Sequence, residues 1–249
     1  MENNRNEYYV DTLNKLTLSE IVSSDFRAAA VFEKYNLDFC CGGNIPVSEA
    51  CTKKGLDSEG IIKELRSLEN GNKQDDKFLE WNLDFLIDYI VNNHHAYINK
   101  MIPVLSAHTQ KIAIVHGKNH PELIETASSF SRVYKDLRQH MMKEEQMLFP
   151  FIKQLVNVKR KGGKSEAPYF GTVKNPIRMM EAEHRAAGDE MSGIRKLTNN
   201  YSMPEDACNT YRVTMQELKD FEEDLHKHVY LENYILFPKS AALEDELLS

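Results

Sequence analysis

Proline and glycine are scarce in this chain. Its 249 residues hold eight prolines and eleven glycines, and these gather between long periodic stretches. So few breakers leave room for long helices, and the fold class expected is all-α. Cysteine is also rare. Four cysteines, two of them adjacent, do not make a disulfide framework, so the thiols are expected reduced and the compartment cytoplasmic. No apolar run approaches the ~18–20 residues of a membrane span. The start, Met1 to Glu7, is polar and lacks an apolar signal core. The net charge of −7 comes without a basic stripe, which argues against a nucleic-acid partner.

What the chain does have is a repeat. His140 to Pro150 and His228 to Pro238 both read His-x3-Glu-x4-Phe-Pro, 88 residues apart. On a helix, residues four apart share one face. His140 and Glu144 therefore point together, as do His228 and Glu232. Steps of three and four give Phe130, Val133, Leu137, His140, Glu144, Met147, Phe151 and Leu155 in the first copy. In the second they give Tyr211, Thr214, Leu218, Phe221, Leu225, His228, Glu232 and Ile235. Both series are bundle seams, so the ligand-type residues occupy core positions. A buried, unpartnered carboxylate costs several kcal/mol, and two facing each other cost more unless cations lie between them.

Two more inward histidines complete the set. His184 lies on the seam Ile177, Met180, His184, Ala187, Met191, Ile194, and Glu181 and Glu183 could hold its second nitrogen. His94 and His95 are neighbours and cannot both face the core. Periodicity leans slightly to His94, through Leu83, Ile87, Ile90, Tyr97, Met101 and Val104. Four imidazoles and two carboxylates, with vacancies, suit iron, with manganese second. Zinc favours closed tetrahedral sites, and calcium and magnesium avoid imidazole. The His-first spacing differs from the Glu-x-x-His of ferritin-type bundles.

The expected layout has two domains. Residues 1–75 form a small helical unit. Thr17 and Glu20 offer a capping box for a helix reaching about Tyr35, and a second helix spans about 57–69. Asn70 to Asp76 breaks the periodicity as a linker, and 76–249 form the bundle. Its four helices are expected over about 81–105, 121–158, 175–199 and 204–237. In the small unit, Asp38-Phe39-Cys40-Cys41-Gly42-Gly43 is expected as a turn near the surface, its glycines permitting left-handed backbone. Thiolate attack, soft-metal contact or pairing with a partner thiol are the roles open to Cys40 and Cys41. Cys51 and Cys208 show no partner in the sequence and are expected to be structural.

With these motifs the chain resembles the repair-of-iron-centres family, the ScdA/YtfE-type di-iron proteins. The Cys-Cys-Gly-Gly segment resembles the family's N-terminal domain, and the two His/Glu copies with Leu-Phe-Pro resemble its hemerythrin-like domain. The resemblance implies a hemerythrin-like four-helix bundle holding two iron ions. It names His95, His140, Glu144, His184, His228 and Glu232 as ligands, with both glutamates bridging. It also implies a homodimer that restores iron–sulfur clusters damaged by nitrosative or oxidative stress; in such a repair protein Cys40 and Cys41 are expected to pass on iron or a thiol. Two other functions fit the same constellation: a di-iron nitric oxide reductase, and a sensor binding oxygen or nitric oxide. The repeated glutamate departs from oxygen carriers, whose last helix pairs a histidine with a more distant aspartate.

Overall fold

The computed structural model describes residues 13–69, 78–165 and 168–248. The described residues are helical, with no strand among them and one isolated bridge, Thr17 to Pro46. The chain divides into two compact units, Met1–Trp81 and Asn82–Ser249. The expected linker, Asn70 to Asp76, lies outside the described residues.

The first unit carries α1 (Leu18–Ser24), α2 (Ala28–Lys34), α3 (Val47–Lys54) and α4 (Ser58–Glu69). The capping box forms: Glu20 N–H donates to Thr17 Oγ1 at 3.2 Å, and Thr17 N–H to Glu20 Oε2 at 2.8 Å. The next free amides of α1 are satisfied by the chain beyond the cysteines. Leu18 N–H donates to the Ile45 carbonyl and Ser19 N–H to that of Gly43. Gly55 takes a left-handed φ of 65° and ends α3. Leu18, Phe32, Phe39, Val47, Cys51, Ile61 and Ile62 fill the core.

The second unit is a bundle of four rods, and three of them change pitch midway. The first runs from α5 (Leu83–Tyr89) through a π-helical turn, Ile90–His95, into α6 (Ala96–His116). The second runs from α7 (Glu122–Lys143) through a π turn, Glu144–Leu148, into α8 (Phe149–Arg160). The third is α9 (Lys174–Leu197), uninterrupted. The fourth runs from α10 (Asn209–Leu231) through a π turn, Glu232–Leu236, into α11 (Phe237–Leu248). α7 packs between α6 and α9, α10 packs on α6 and α9, and α8 packs on α5 and α11.

The repeated prolines account for two of the π turns. Pro150 and Pro238 have no N–H to donate four residues back and crowd that carbonyl. A wider turn just ahead of each accommodates them. The buried stripe shows the inserted residue. After Glu144 it falls on Leu148, fully buried, rather than on the expected Met147. α6 runs past the expected Leu105 because Thr109, polar in the sequence, is buried and bonds the Leu105 carbonyl at 2.8 Å. The fourth rod starts later than expected, at Asn209, and continues past Pro238, which sits in the first turn of α11.

Candidate metal centre

The π turns lie at the level of the repeated His and Glu residues. His140 and Glu144 meet across the end of α7, and His228 and Glu232 across the end of α10. His95 closes the π turn of the first rod, and His184 lies midway along α9. All six side chains are almost wholly buried. Their donor atoms form two groups that share both carboxylates. His95 and His228 with Glu144 and Glu232 make one group; His140 and His184 with the same glutamates make the other.

Within the first group, His95 Nε2 is 3.2 Å from His228 Nε2 and 3.5 Å from Glu144 Oε2. His228 Nε2 is 3.0 Å from Glu232 Oε1. In the second, His184 Nε2 is 3.0 Å from His140 Nε2 and 3.1 Å from Glu232 Oε2. His140 Nε2 is 3.3 Å from Glu144 Oε2. These spacings suit donors around a common ion at about 2.0–2.2 Å. The two Nε2–Nε2 pairs are close enough to share a proton, but no imidazole makes a hydrogen bond to either carboxylate. All four carboxylate oxygens of Glu144 and Glu232 are buried and lack a hydrogen-bond partner. Two carboxylates in that condition are strongly unfavourable, and their converging lone pairs need positive charge between them.

The electrostatics agree. Burial pulls the imidazolium form of His95 down, yet Glu144 and Glu232 outweigh it and hold its pKa at about 10. Against the same burial, Glu144 holds His140 at about 10. Burial and Glu232 push Glu144 up, but His140 and His95 bring it to about 2. Glu232 is lowered too, against burial, chiefly by His228 and His184. His228 alone is shifted down, by burial. Without a cation the centre recruits protons onto two imidazoles; it demands positive charge in either state.

Three of the four far nitrogens are held from outside, which fixes where the near ones point, while His228 Nδ1 has no hydrogen-bond partner. Glu145 Oε1 accepts from His95 Nδ1 at 2.8 Å, and Asn233 Oδ1 from His184 Nδ1 at 2.8 Å. Glu183 Oε2 accepts from His140 Nδ1 at 3.0 Å and also pairs with Lys143. Phe149 stacks on His95 with ring centroids 5.7 Å apart, and Phe237 on His184 at 5.9 Å. Each motif copy thus does three things. It supplies a His and a Glu, then a polar residue one step on (Glu145 or Asn233), then a phenylalanine (Phe149 or Phe237). The last two both seat a histidine from another rod.

Several sequence expectations change here. His95, as the resemblance implies and against the slight lean of periodicity to His94, joins the cluster. The π turn 90–95 widens the helix where the count at 3.6 residues per turn passes through it. His94 is buried beside the centre, its Nδ1 2.9 Å from Asp224 and its ring stacked on His228. Glu183 serves His140 rather than its neighbour His184. Glu145 and Asn233 were missed, although the 88-residue register marks them as equivalent.

Cys40 and Cys41 lie in the first unit. Cys40 is buried and Cys41 half-buried, deeper than a surface turn would place them. Gly42 and Gly43 have no left-handed backbone. Gly42 instead sits where space is tight, since a Cβ there would lie 3.0 Å from Asp38 Oδ2. Cys51 is buried among apolar side chains. Cys208 is exposed and has a partner: its sulfur is 3.1 Å from His116 Nε2.

Buried His/Glu donors converging from four rods define a cation-binding helical bundle. Residues 86–240 match the hemerythrin HHE cation binding domain, and residues 14–69 match ScdA_N, a domain of unknown function (DUF542). The iron-sulfur cluster repair protein ScdA of Staphylococcus haemolyticus is 32% identical over 226 residues, 91% of this chain and 98% of that one. The iron-sulfur cluster repair protein YtfE of Yersinia pestis is 34% identical over 214 residues, 86% of this chain and 91% of that one. The chain belongs to this ScdA/YtfE family. Among the described residues, no helix is long and apolar enough to cross a membrane.

Proposed function

We propose that the bundle holds two iron ions and that the protein repairs iron–sulfur clusters damaged by nitrosative or oxidative stress, in the cytoplasm, by giving up iron. His95 and His228 would hold one ion and His140 and His184 the other, with Glu144 and Glu232 shared. One observation carries this reading: four buried carboxylate oxygens without hydrogen bonds, ringed by four imidazole nitrogens. The names of the family's relatives supply the task.

The donor chemistry supports iron as cargo. Imidazole and carboxylate hold ferrous iron less firmly than thiolates do, and each half-centre supplies two nitrogens and two shared carboxylates. Bound there, iron would supply redox chemistry and vacant positions for nitric oxide or oxygen. The chain's own contribution is orientation and dryness. Glu145, Glu183 and Asn233 aim the imidazoles, while Phe149 and Phe237 screen His95 and His184 from water. Cys40 and Cys41 are proposed as the thiols that meet the client, and the working form as a homodimer.

The test is direct. An iron–sulfur dehydratase inactivated by nitric oxide is incubated with iron-loaded protein, and with a Glu144→Leu/Glu232→Leu variant, under a defined thiol reductant. Recovery of dehydratase activity should accompany loss of iron from the wild-type bundle and be absent with the variant. Equal recovery in both arms would remove the repair reading. Sedimentation of the loaded protein tests the dimer.

A further inference from the structure

We propose that Asp38, Cys40 and Cys41 form a second metal site, separate from the bundle, for a thiophilic divalent cation such as zinc or ferrous iron. The site stands whether or not the bundle repairs clusters. Two of its three donor–donor edges already match those of a coordination shell. The two sulfurs are 3.8 Å apart, and Cys40 Sγ is 3.5 Å from Asp38 Oδ1. A tetrahedral ion with metal–sulfur bonds of about 2.3 Å and a metal–oxygen bond of about 2.0–2.2 Å sets sulfur–sulfur and sulfur–oxygen edges of about 3.8 and 3.6 Å. All three donors lie within 4.8 Å of one another.

The fold holds them in that arrangement. Asp38 Oδ1 accepts the backbone N–H of Cys40 at 3.1 Å and of Cys41 at 2.8 Å, which wraps the turn around the carboxylate. Gly42 leaves room for the other oxygen, Oδ2. Gly43 and Ile45 then tie the chain to the start of α1. The result concentrates two thiols and a carboxylate that repel one another once ionised. A divalent cation relieves that repulsion: it takes the place of the thiol protons, which pass to solvent, and bonds both sulfurs. Three protein donors leave a fourth position open, as in zinc sites that exchange a ligand.

Cobalt(II) added to the metal-free, reduced full-length chain tests this. The bundle centre contains no sulfur, so thiolate-to-cobalt charge-transfer absorption cannot come from it. Titration through three equivalents, enough to fill both bundle positions as well, should produce that absorption, and Cys51→Ser and Cys208→Ser should retain it. Cys40→Ser and Cys41→Ser should lose it. Asp38→Asn keeps the acceptor that shapes the turn but removes the charge, and should weaken binding by about tenfold or more. Because a serine variant could lose its fold, a second measurement uses the wild type: bound cadmium should protect Cys40 and Cys41, but not Cys208, from alkylation read by peptide mass spectrometry. Absence of the absorption, its persistence in both serine variants, or equal alkylation with and without cadmium would each overturn the site.

Discussion

Replacing Glu144 by leucine separates a metal centre from a merely buried polar cluster. Glu144 is fully buried and neither of its oxygens has a hydrogen bond. In a structural cluster its loss would leave a buried charge behind and cost about 3–5 kcal/mol. Here it should not, because the neighbouring imidazoles carry protons only on account of the glutamates, with His95 and His140 held near 10. Remove one carboxylate, and one histidine reverts to the neutral form. Leucine is similar in size and suits the apolar wall. The chelated variant should therefore melt at or slightly above the chelated wild type. Metal should do the opposite. One ion at 100 times its dissociation constant adds about 2.7 kcal/mol, so two add about 5. At about 2–4 °C per kcal/mol, the bundle transition should rise by roughly 10–20 °C in the wild type and scarcely at all in Glu144→Leu. Differential scanning calorimetry with and without ferrous iron under argon reads both effects. A chelated Glu144→Leu protein less stable by 3 kcal/mol or more, or a wild type whose melting ignores iron, refutes the reasoning.

Other perturbations have equally definite outcomes. Asn233→Ala and Glu183→Ala each free an imidazole to rotate and should weaken metal binding by about 10–100-fold, measured by competition with a chromophoric chelator. Thr17→Ala removes the capping box and should cost the first unit about 1 kcal/mol, read from its denaturant midpoint. The pKa of His120 is raised, first by Asp206 and then by Glu122. Its contribution to stability is therefore complete below its unfolded value of about 6.5 and fades as pH climbs through the raised one. A His120→Ala protein should show a flatter loss of stability with alkaline pH. Cys208 stands immediately before α10, and the N–H of Tyr211 followed by His116 lowers its pKa. Iodoacetamide at neutral pH should label it well before Cys51.

The buried His/Glu cluster was legible because the i, i+4 rule and the 88-residue register each act through local geometry that survives folding. His140, Glu144, His228 and Glu232 needed nothing else. His184 followed from an uninterrupted 3.6-residue pattern, and α9 has no π turn to disturb it. The choice between His94 and His95 failed on periodicity because the count crosses the π turn 90–95, where one residue is added to a turn. The same displacement moved the seam from Met147 to Leu148. Long-range pairings were beyond the sequence altogether. Nothing local tells that Glu183 would reach across to His140, or that His116 would find Cys208. The turn at Asp38 was visible as a break, but the tight space at Gly42 comes from a carboxylate folding back from four residues earlier.

Glu145 and Asn233 occupy twin places, yet one presents an ionisable carboxylate and the other a neutral amide. Glu183 behind His140 gives the second pocket a carboxylate to match Glu145 behind His95, so the difference falls on the remaining imidazole of each: His184 rests on an amide, whereas His228 Nδ1 has no hydrogen-bond partner. With iron aboard, a single added electron would have a preferred side, and the one-electron-reduced protein should display two distinct iron spectra instead of one averaged signal.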